Sequence, residues 1–295
     1  MDKIIECVPN FSEGRRAEVI EKIVDAFRGR EGIKLLDYTS DKDHNRSVIT
    51  ALGEPNALKK AALDMVRRAL ECIDLRQHEG KHPRMGAVDV MPFIPVKGVS
   101  VEETIELSID VAREIGKQGI PVYLYDKSAL IKEHENLADC RKGNFEGLNQ
   151  KMMQPIWKPD FGPKRPHESF GAIAVGCRKF LCAYNINLDS SDLAAAKTIA
   201  GIIREKGGGL KCCKALGIEL KSRSLAQVSM NLTDYEVTGM LDAYKAVERE
   251  AEKLGIKVLS SEIIGLIPKA ALQGARPEQL KIENYSPEKI LENRI

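Results

Sequence analysis

The chain has 295 residues, 43% hydrophobic and 30% charged, and its 45 basic residues almost cancel 43 acidic ones to leave a formal charge of +2. That is an ordinary globular composition, and with basic residues interspersed among acidic ones it gives no electrostatic case for nucleic acid as a partner. The longest uncharged stretches, 169–177 and 180–188, reach only about half of the roughly 20 apolar residues a bilayer span needs, so no membrane span is expected.

Seven cysteines are an odd number in a chain too large to need staples, which suits reduced thiols. Together with a start that has neither a signal nor a transit pattern, they predict a cytoplasmic location. No CxxC pair is present, and adjacent Cys212 and Cys213 read as incidental thiols.

The length allows one large or two modest domains, and the elements favour two. Apolar Val19, Ile20, Ile23, Val24 and Phe27 recur at helical spacing after Ser12, a natural N-cap, so a strand over 4–8 should feed a helix. Strands at 34–36 and 46–52 follow. Pro55 then opens a long helix with Leu58, Ala61, Ala62, Met65, Val66, Ala69 and Leu70 on one face. A strand over 88–96, a helix over 101–118 and a strand over 121–125 complete an α/β half whose sheet is mixed or parallel, with helices packed against it.

Over 126–164 the pattern weakens into a polar region with Pro155, Pro159, Pro163 and the only tryptophan, Trp157, which reads as a long functional loop plus a boundary. Periodicity returns with apolar runs at 170–175 and 180–186, a helix over 191–205 and a strand over 225–230. A helix over 236–254 and a strand at 257–259 leading to Ile267 follow. The expected organisation is therefore an α/β subdomain over 1–177 and a second over 178–295.

One echo links the halves. Asn10, Asn187 and Asn231 each end a strand-like run and precede an apolar residue, capping chemistry and a helix. Either this is repeated strand-to-helix turn chemistry, or the amides sit at the carboxyl edges of the sheets, where α/β folds bind ligands. Spacing alone does not separate the two.

Of five histidines, two fall in the densest polar cluster, His78-Glu79-Gly80-Lys81-His82-Pro83-Arg84-Met85-Gly86. Formally this contains HExxH, but that zinc signature needs both histidines on one helix face, and Gly80 with Pro83 should end any helix before His82. A better reading takes one histidine as a general acid/base on a loop, with Arg84 near His82 offering a rigid fork to a carboxylate. Phosphate loops and a GxSxG elbow are missing, so nucleotide chemistry and an α/β-hydrolase are unsupported.

These strings carry a resemblance. Glu6-Cys7-Val8-Pro9-Asn10-Phe11-Ser12-Glu13-Gly14, Asn45-Arg46, His82-Pro83-Arg84-Met85-Gly86-Ala87-Val88-Asp89-Val90, Pro159-Asp160-Phe161-Gly162-Pro163, Arg178-Lys179-Phe180-Leu181 and Leu225-Ala226-Gln227-Val228-Ser229-Met230-Asn231-Leu232 resemble, in order, the glutamate formimidoyltransferase family. The resemblance implies two α/β subdomains with mixed sheets and outer helices, a folate groove between them and a homodimer. It implies transfer of a formimidoyl group from N-formimidoyl-L-glutamate to N5 of tetrahydrofolate, a co-substrate, with no metal, in histidine breakdown.

In the family the histidine of the HPRMG string is the catalytic base, which falls on His82. The folate-contacting loop falls on Gly162, Pro163, Lys164, Arg165, Pro166, His167, Glu168, Ser169, Phe170 and Gly171. Lys164 to Glu168 departs from the animal members' composition, and Phe170 stands in place of their aromatic residue before the closing glycine. Asn10, Asn187 and Asn231 join the folate-binding candidates, and Arg46, Arg84 and Lys179 are candidates for substrate carboxylates. Animal members carry a cyclodeaminase domain for which this chain has no room, so a separate cyclodeaminase is expected as a partner. Two alternatives remain: a transferase of the same architecture using N-formyl-L-glutamate, and a non-catalytic folate-binding protein.

Overall fold

A computed structural model describes residues 2–42, 44–80, 82–220 and 223–294; Met1, Asp43, Lys81, Lys221, Ser222 and Ile295 lie outside the described residues. The chain divides into two units, residues 1–178 and 179–295.

The first unit runs β1 (Ile4–Cys7), β2 (Asn10–Phe11), α1 (Ala17–Val24), β3 (Ile33–Asp41), β4 (Arg46–Gly53), α2 (Pro55–Cys72), β5 (Val88–Lys97), α3 (Val101–Lys117) and β6 (Val122–Leu124). Three short helices follow, α4 (Lys132–Glu135), α5 (Leu137–Arg141) and α6 (Asn144–Met152), and then β7 (Ile173–Cys177). The seven strands form one mixed sheet. β1 and β2 both lie between β4 and β5, antiparallel to each, as one strand interrupted at Val8 and Pro9, where proline removes a ladder donor. β5 and β6 pair parallel with β7.

Helix signals explain the outer layer. Pro55 starts α2 at a position where a missing amide costs nothing, and its period-3.6 stripe from Leu58 to Ala69 is buried. Ser100 caps α3 reciprocally: its hydroxyl accepts from the Glu103 amide (3.1 Å) while its own amide donates to the Glu103 carboxylate (2.9 Å). These helices and α1 cover one sheet face, around Phe11, Phe27, Phe93 and Met65. The opposite face carries a smaller cluster in which Met85, Val90 and Tyr123 meet Cys140 of α5 and Leu148 and Met152 of α6.

Two expectations change here. Ser12 does not cap α1, whose N-cap is Arg16; the Ser12 hydroxyl instead donates to the Gly86 carbonyl (2.8 Å), tying the first strand pair to the HPRMG turn. The stretch 126–164 is not one loop but holds α4 to α6, short helices whose polar sequences show little periodicity because only a few residues of each are buried.

The second unit contains β8 (Cys182–Leu188), α7 (Leu193–Ile203), β9 (Cys213–Leu220), β10 (Leu225–Leu232), α8 (Met240–Lys253) and β11 (Val258–Ile264). Its four strands lie in the order β11-β8-β10-β9, antiparallel throughout. The period-2 pattern separates two faces: Tyr184, Ile186, Val228 and Met230 are apolar and buried, while Asn185, Asn187, Gln227, Ser229 and Asn231 point the other way. Strand β9 has no counterpart in the sequence reading. Its exposed residues Lys214 and Glu219 lie on opposite faces of the strand, and Gly217 interrupts its pattern. That glycine is required by packing, since a Cβ would stand 2.3 Å from the Lys197 amide nitrogen of α7.

Candidate active site

The polar cluster after α2 folds as a turn rather than a helix. α2 ends at Cys72 and a single 3-10 turn over Leu75–Gln77 precedes His78, so His78 and His82 do not share a helix face. The His78 Nε2–H donates to the Asn45 carbonyl (2.9 Å), which leaves Nδ1 to accept from the Arg84 Nε (3.1 Å). Burial, opposed by the bond to Asn45, pulls the His78 imidazole below its ordinary range.

His82 is held differently. Its Nδ1 lies 2.6 Å from the Pro83 carbonyl, an acceptor only, so Nδ1 carries the proton and Nε2 keeps its lone pair. Burial, and next the positive charge of Arg46, pull its pKa down to about 4. At neutral pH the ring is therefore an uncharged base.

Beneath it lies a buried ion cluster. Arg46, the first residue of β4, sends Nη1 to Asp89 Oδ2 (2.9 Å) and Nε and Nη2 to the Asn10 side-chain oxygen (3.2 and 3.0 Å). Arg141, at the end of α5, reaches the same Asp89 oxygen at 2.6 Å, and the Met85 amide donates to the other (2.8 Å). Burial pushes the Asp89 carboxyl up, but Arg141, Arg46 and the Met85 amide together outweigh it and hold the group below its usual range. The Arg141 Nε is buried and makes no hydrogen bond among the described residues. His82, Arg141, Lys142 and the start of α6 line a cavity of about 360 Å³.

The wall of that cavity is itself anchored. The buried Lys151 ammonium donates to the carbonyls of Asp139, Cys140 (2.7 Å) and Lys142 (3.2 Å), and sits 3.9 Å from the centre of the Trp157 ring. Glu6 is buried in β1, and burial, opposed by Arg178, pushes its pKa up to about 7.

The ten residues over 162–171 close onto this turn. The Gly171 amide donates to His167 O (2.8 Å) and the His167 amide to Gly171 O (2.9 Å), while the Ala172 amide donates to Met85 O (2.9 Å). Gly86 and Gly171 face one another so closely that a Cβ on Gly86 would lie 2.0 Å from Ala172 O, and on Gly171 2.1 Å from Met85 O. Phe170 is buried, and the His167 Nδ1 accepts from its amide (3.2 Å). Gly162, Lys164, Arg165 and Glu168 are exposed, with Pro163, Pro166, His167 and Ser169 half-buried.

The three carboxylate candidates fare differently. Arg46 lies in the cluster beside His82. Both terminal nitrogens of Arg84 are taken by the Glu146 carboxylate (2.9 and 2.7 Å). Lys179, in the second unit, meets Asp234 (2.8 Å) and Glu236 (2.9 Å), whose hydrogen bonds raise its pKa.

The asparagines also separate. Asn10 bonds Arg46. Asn187 is buried in a side-chain network of the second sheet, donating to the Ser260 hydroxyl (3.0 Å) and accepting from Gln227 (2.8 Å), which also donates to Glu262 (2.8 Å). Asn231, on the same sheet face, is exposed. Sequence reading missed Asp89 and Arg141. A lone acid in the apolar strand 88–96 was a usable signal, since a buried charge demands partners; Arg141 gave none.

Comparisons with known proteins agree along the chain. Residues 4–178 match the family model described as the formiminotransferase domain, N-terminal subdomain, and residues 183–286 match that of the formiminotransferase domain. A glutamate formimidoyltransferase of Streptococcus pyogenes serotype M1 is 44% identical over 297 residues, spanning 100% of this chain and 99% of that protein. One from Thermoplasma acidophilum is 40% identical over 295 residues, spanning 99% and 97%. The formimidoyltransferase-cyclodeaminase of Rattus norvegicus is 42% identical over 282 residues, spanning 93% of this chain and 52% of that protein.

Proposed function

The chain belongs to the formiminotransferase family, and from that premise we propose that it is a glutamate formimidoyltransferase with His82 as its proton-transfer residue. The substrates are N-formimidoyl-L-glutamate and tetrahydrofolate, the products L-glutamate and 5-formimidoyltetrahydrofolate, as in histidine breakdown. The support is full-length similarity to two glutamate formimidoyltransferases together with the state of His82.

The chemistry follows from that state. Attack of N5 on the formimidoyl carbon forms the new C–N bond and a tetrahedral adduct, and N5 must lose a proton. The His82 Nε2, unprotonated because Nδ1–H is committed to Pro83, accepts it. The same proton then passes to the departing glutamate nitrogen as the old C–N bond breaks, so one neutral histidine serves both transfers, contributing about 10² to 10⁴-fold. Holding two substrates together contributes several kcal/mol more through lost entropy. No covalent enzyme intermediate is required.

The loop 162–171 is the proposed folate contact, along with Asn10, Asn187 and Asn231. Arg46 is a proposed carboxylate contact. A homodimer and a cytoplasmic location belong to the same reading; the resemblance supports the first, and seven free thiols, five of them buried, support the second. Among the described residues no helix is long and apolar enough to cross a membrane. A cyclodeaminase, the second activity in the rat relative's name, is the proposed consumer of the product.

The test is transfer from N-formimidoyl-L-glutamate and, in parallel, N-formyl-L-glutamate to tetrahydrofolate, with the folate product followed by mass for wild type and His82→Ala. Formimidoyl product that vanishes in the variant is expected. Formyl product alone would move the enzyme to the formyl donor, and no product from either would leave a folate-binding protein without turnover.

A further inference from the structure

The cavity beside His82 carries positive charge in excess of its counterions. Arg46 and Arg141 bring two positive charges to Asp89, the one carboxylate in ion-pair contact with either among the described residues, so one charge is left over. His82 is neutral and cancels nothing. Lys142 adds a further cation to the wall, and Gly143 and Asn144, which also line it, form the N-terminal end of α6, where backbone amides favour negative charge. A largely buried guanidinium in excess of its counterions is costly until an anion joins it. Arg84 and Lys179 are already held by carboxylates of this chain.

We infer that Arg141 is the anchor for the α-carboxylate of the formimidoyl donor, an assignment that rests on the reaction proposed above. In the donor, the nitrogen that bears the formimidoyl group sits on the same carbon as the α-carboxylate. A carboxylate held by Arg141 therefore keeps the reacting centre in the cavity that His82 also lines. The carboxylates of folate stand a whole p-aminobenzoyl unit away from N5, so a folate carboxylate held there would carry N5 away from His82. A planar guanidinium suits the role because it presents paired donors to one carboxylate.

The experiment compares wild type with Arg141→Met and Arg141→Lys. Asp89 keeps Arg46 and the Met85 amide in both variants, and thermal melting checks that they fold. In Arg141→Met the KM for N-formimidoyl-L-glutamate should rise about ten- to a hundredfold, with the KM for tetrahydrofolate at its wild-type value and L-glutamate binding lost by calorimetry. Arg141→Lys should fall between. A rise in the tetrahydrofolate KM alone would assign the anchor to a folate carboxylate and overturn the inference. Unchanged KM values and glutamate affinity with a lowered melting temperature would make Arg141 a counterion of Asp89 only. Glutamate binding that Arg141→Met abolishes, in a protein that transfers from neither donor, would keep the carboxylate site and overturn the proposed reaction instead.

Discussion

Arg46 and Arg141 meet the same atom: Oδ2 of Asp89 takes a guanidinium nitrogen from each, at 2.9 and 2.6 Å. One carboxylate in β5 thereby fixes a residue of β4 and the end of α5 around the turn that carries His82. Its other oxygen holds the Met85 amide.

Removing that carboxylate should be the most damaging single change in the unit. Asp89→Asn leaves two buried guanidiniums without a counterion and should cost about 3 to 5 kcal/mol at neutral pH. Because the folded carboxyl titrates below its usual range, its contribution is present above the unfolded value of about 3.9 and is lost as pH falls through the lower folded value. The difference in melting temperature between wild type and Asp89→Asn should therefore shrink in acid, and a gap that persists there would contradict the charge argument.

The acid limb of catalysis should be displaced. A base must be unprotonated, and with the His82 pKa drawn down to about 4 the fall in kcat/KM should come as pH drops through that value rather than through the ordinary 6.5 or so. Activity against pH for wild type measures this, and a limb near the ordinary histidine value would remove His82 from the role.

Glu6 offers a stability probe in the alkaline direction. Its folded pKa of about 7 lies above the ordinary carboxyl value of 4.5, so the neutral form stabilises the fold below the lower value and that contribution disappears as pH rises through about 7. Glu6→Gln, permanently neutral, should melt with wild type in mild acid and be more stable by about 3 kcal/mol at alkaline pH. Equal melting at high pH would show that Arg178 compensates the ionised carboxylate fully.

Arg84 is expected to act as a clamp. Its guanidinium grips Glu146 and its carbonyl accepts from the Phe145 amide (2.9 Å), joining the HPRMG turn to the first turn of α6. Arg84→Lys breaks the fork and should lower stability by about 1 kcal/mol while leaving the donor KM unchanged. A raised KM with unchanged melting would return substrate binding to Arg84.

The parts of this architecture that were legible in sequence are those with a local cause. α2 and α3 could be read because a proline or a capping serine opens each and an unbroken apolar stripe follows. β9 could not, because its exposed residues Lys214 and Glu219 fall on opposite faces, which breaks the alternation, and its middle position is the glycine that α7 demands. The break between His78 and His82 was visible in Gly80 and Pro83. The protonation of His82 was not, since it depends on which way the ring turns toward its neighbour's carbonyl and on Arg46. The meeting of Arg46, Asp89 and Arg141 is long-range: three residues from three elements converge only once the sheet has formed.

The path between β6 and β7 carries a wider consequence. These strands are parallel neighbours, yet the chain between them makes a long excursion that supplies Arg141, Lys142, the opening of α6 and the loop over 162–171 before rejoining the sheet. Lys151 gathers the α5 end of that excursion through three carbonyls, while Asp89 and Arg84 tie it to the sheet and to the HPRMG turn. If Arg141 anchors the donor as inferred, selectivity should follow this one insert, and a chimera that carries a relative's excursion together with matching partners at Arg84 and Asp89 is the natural unit for redesigning it.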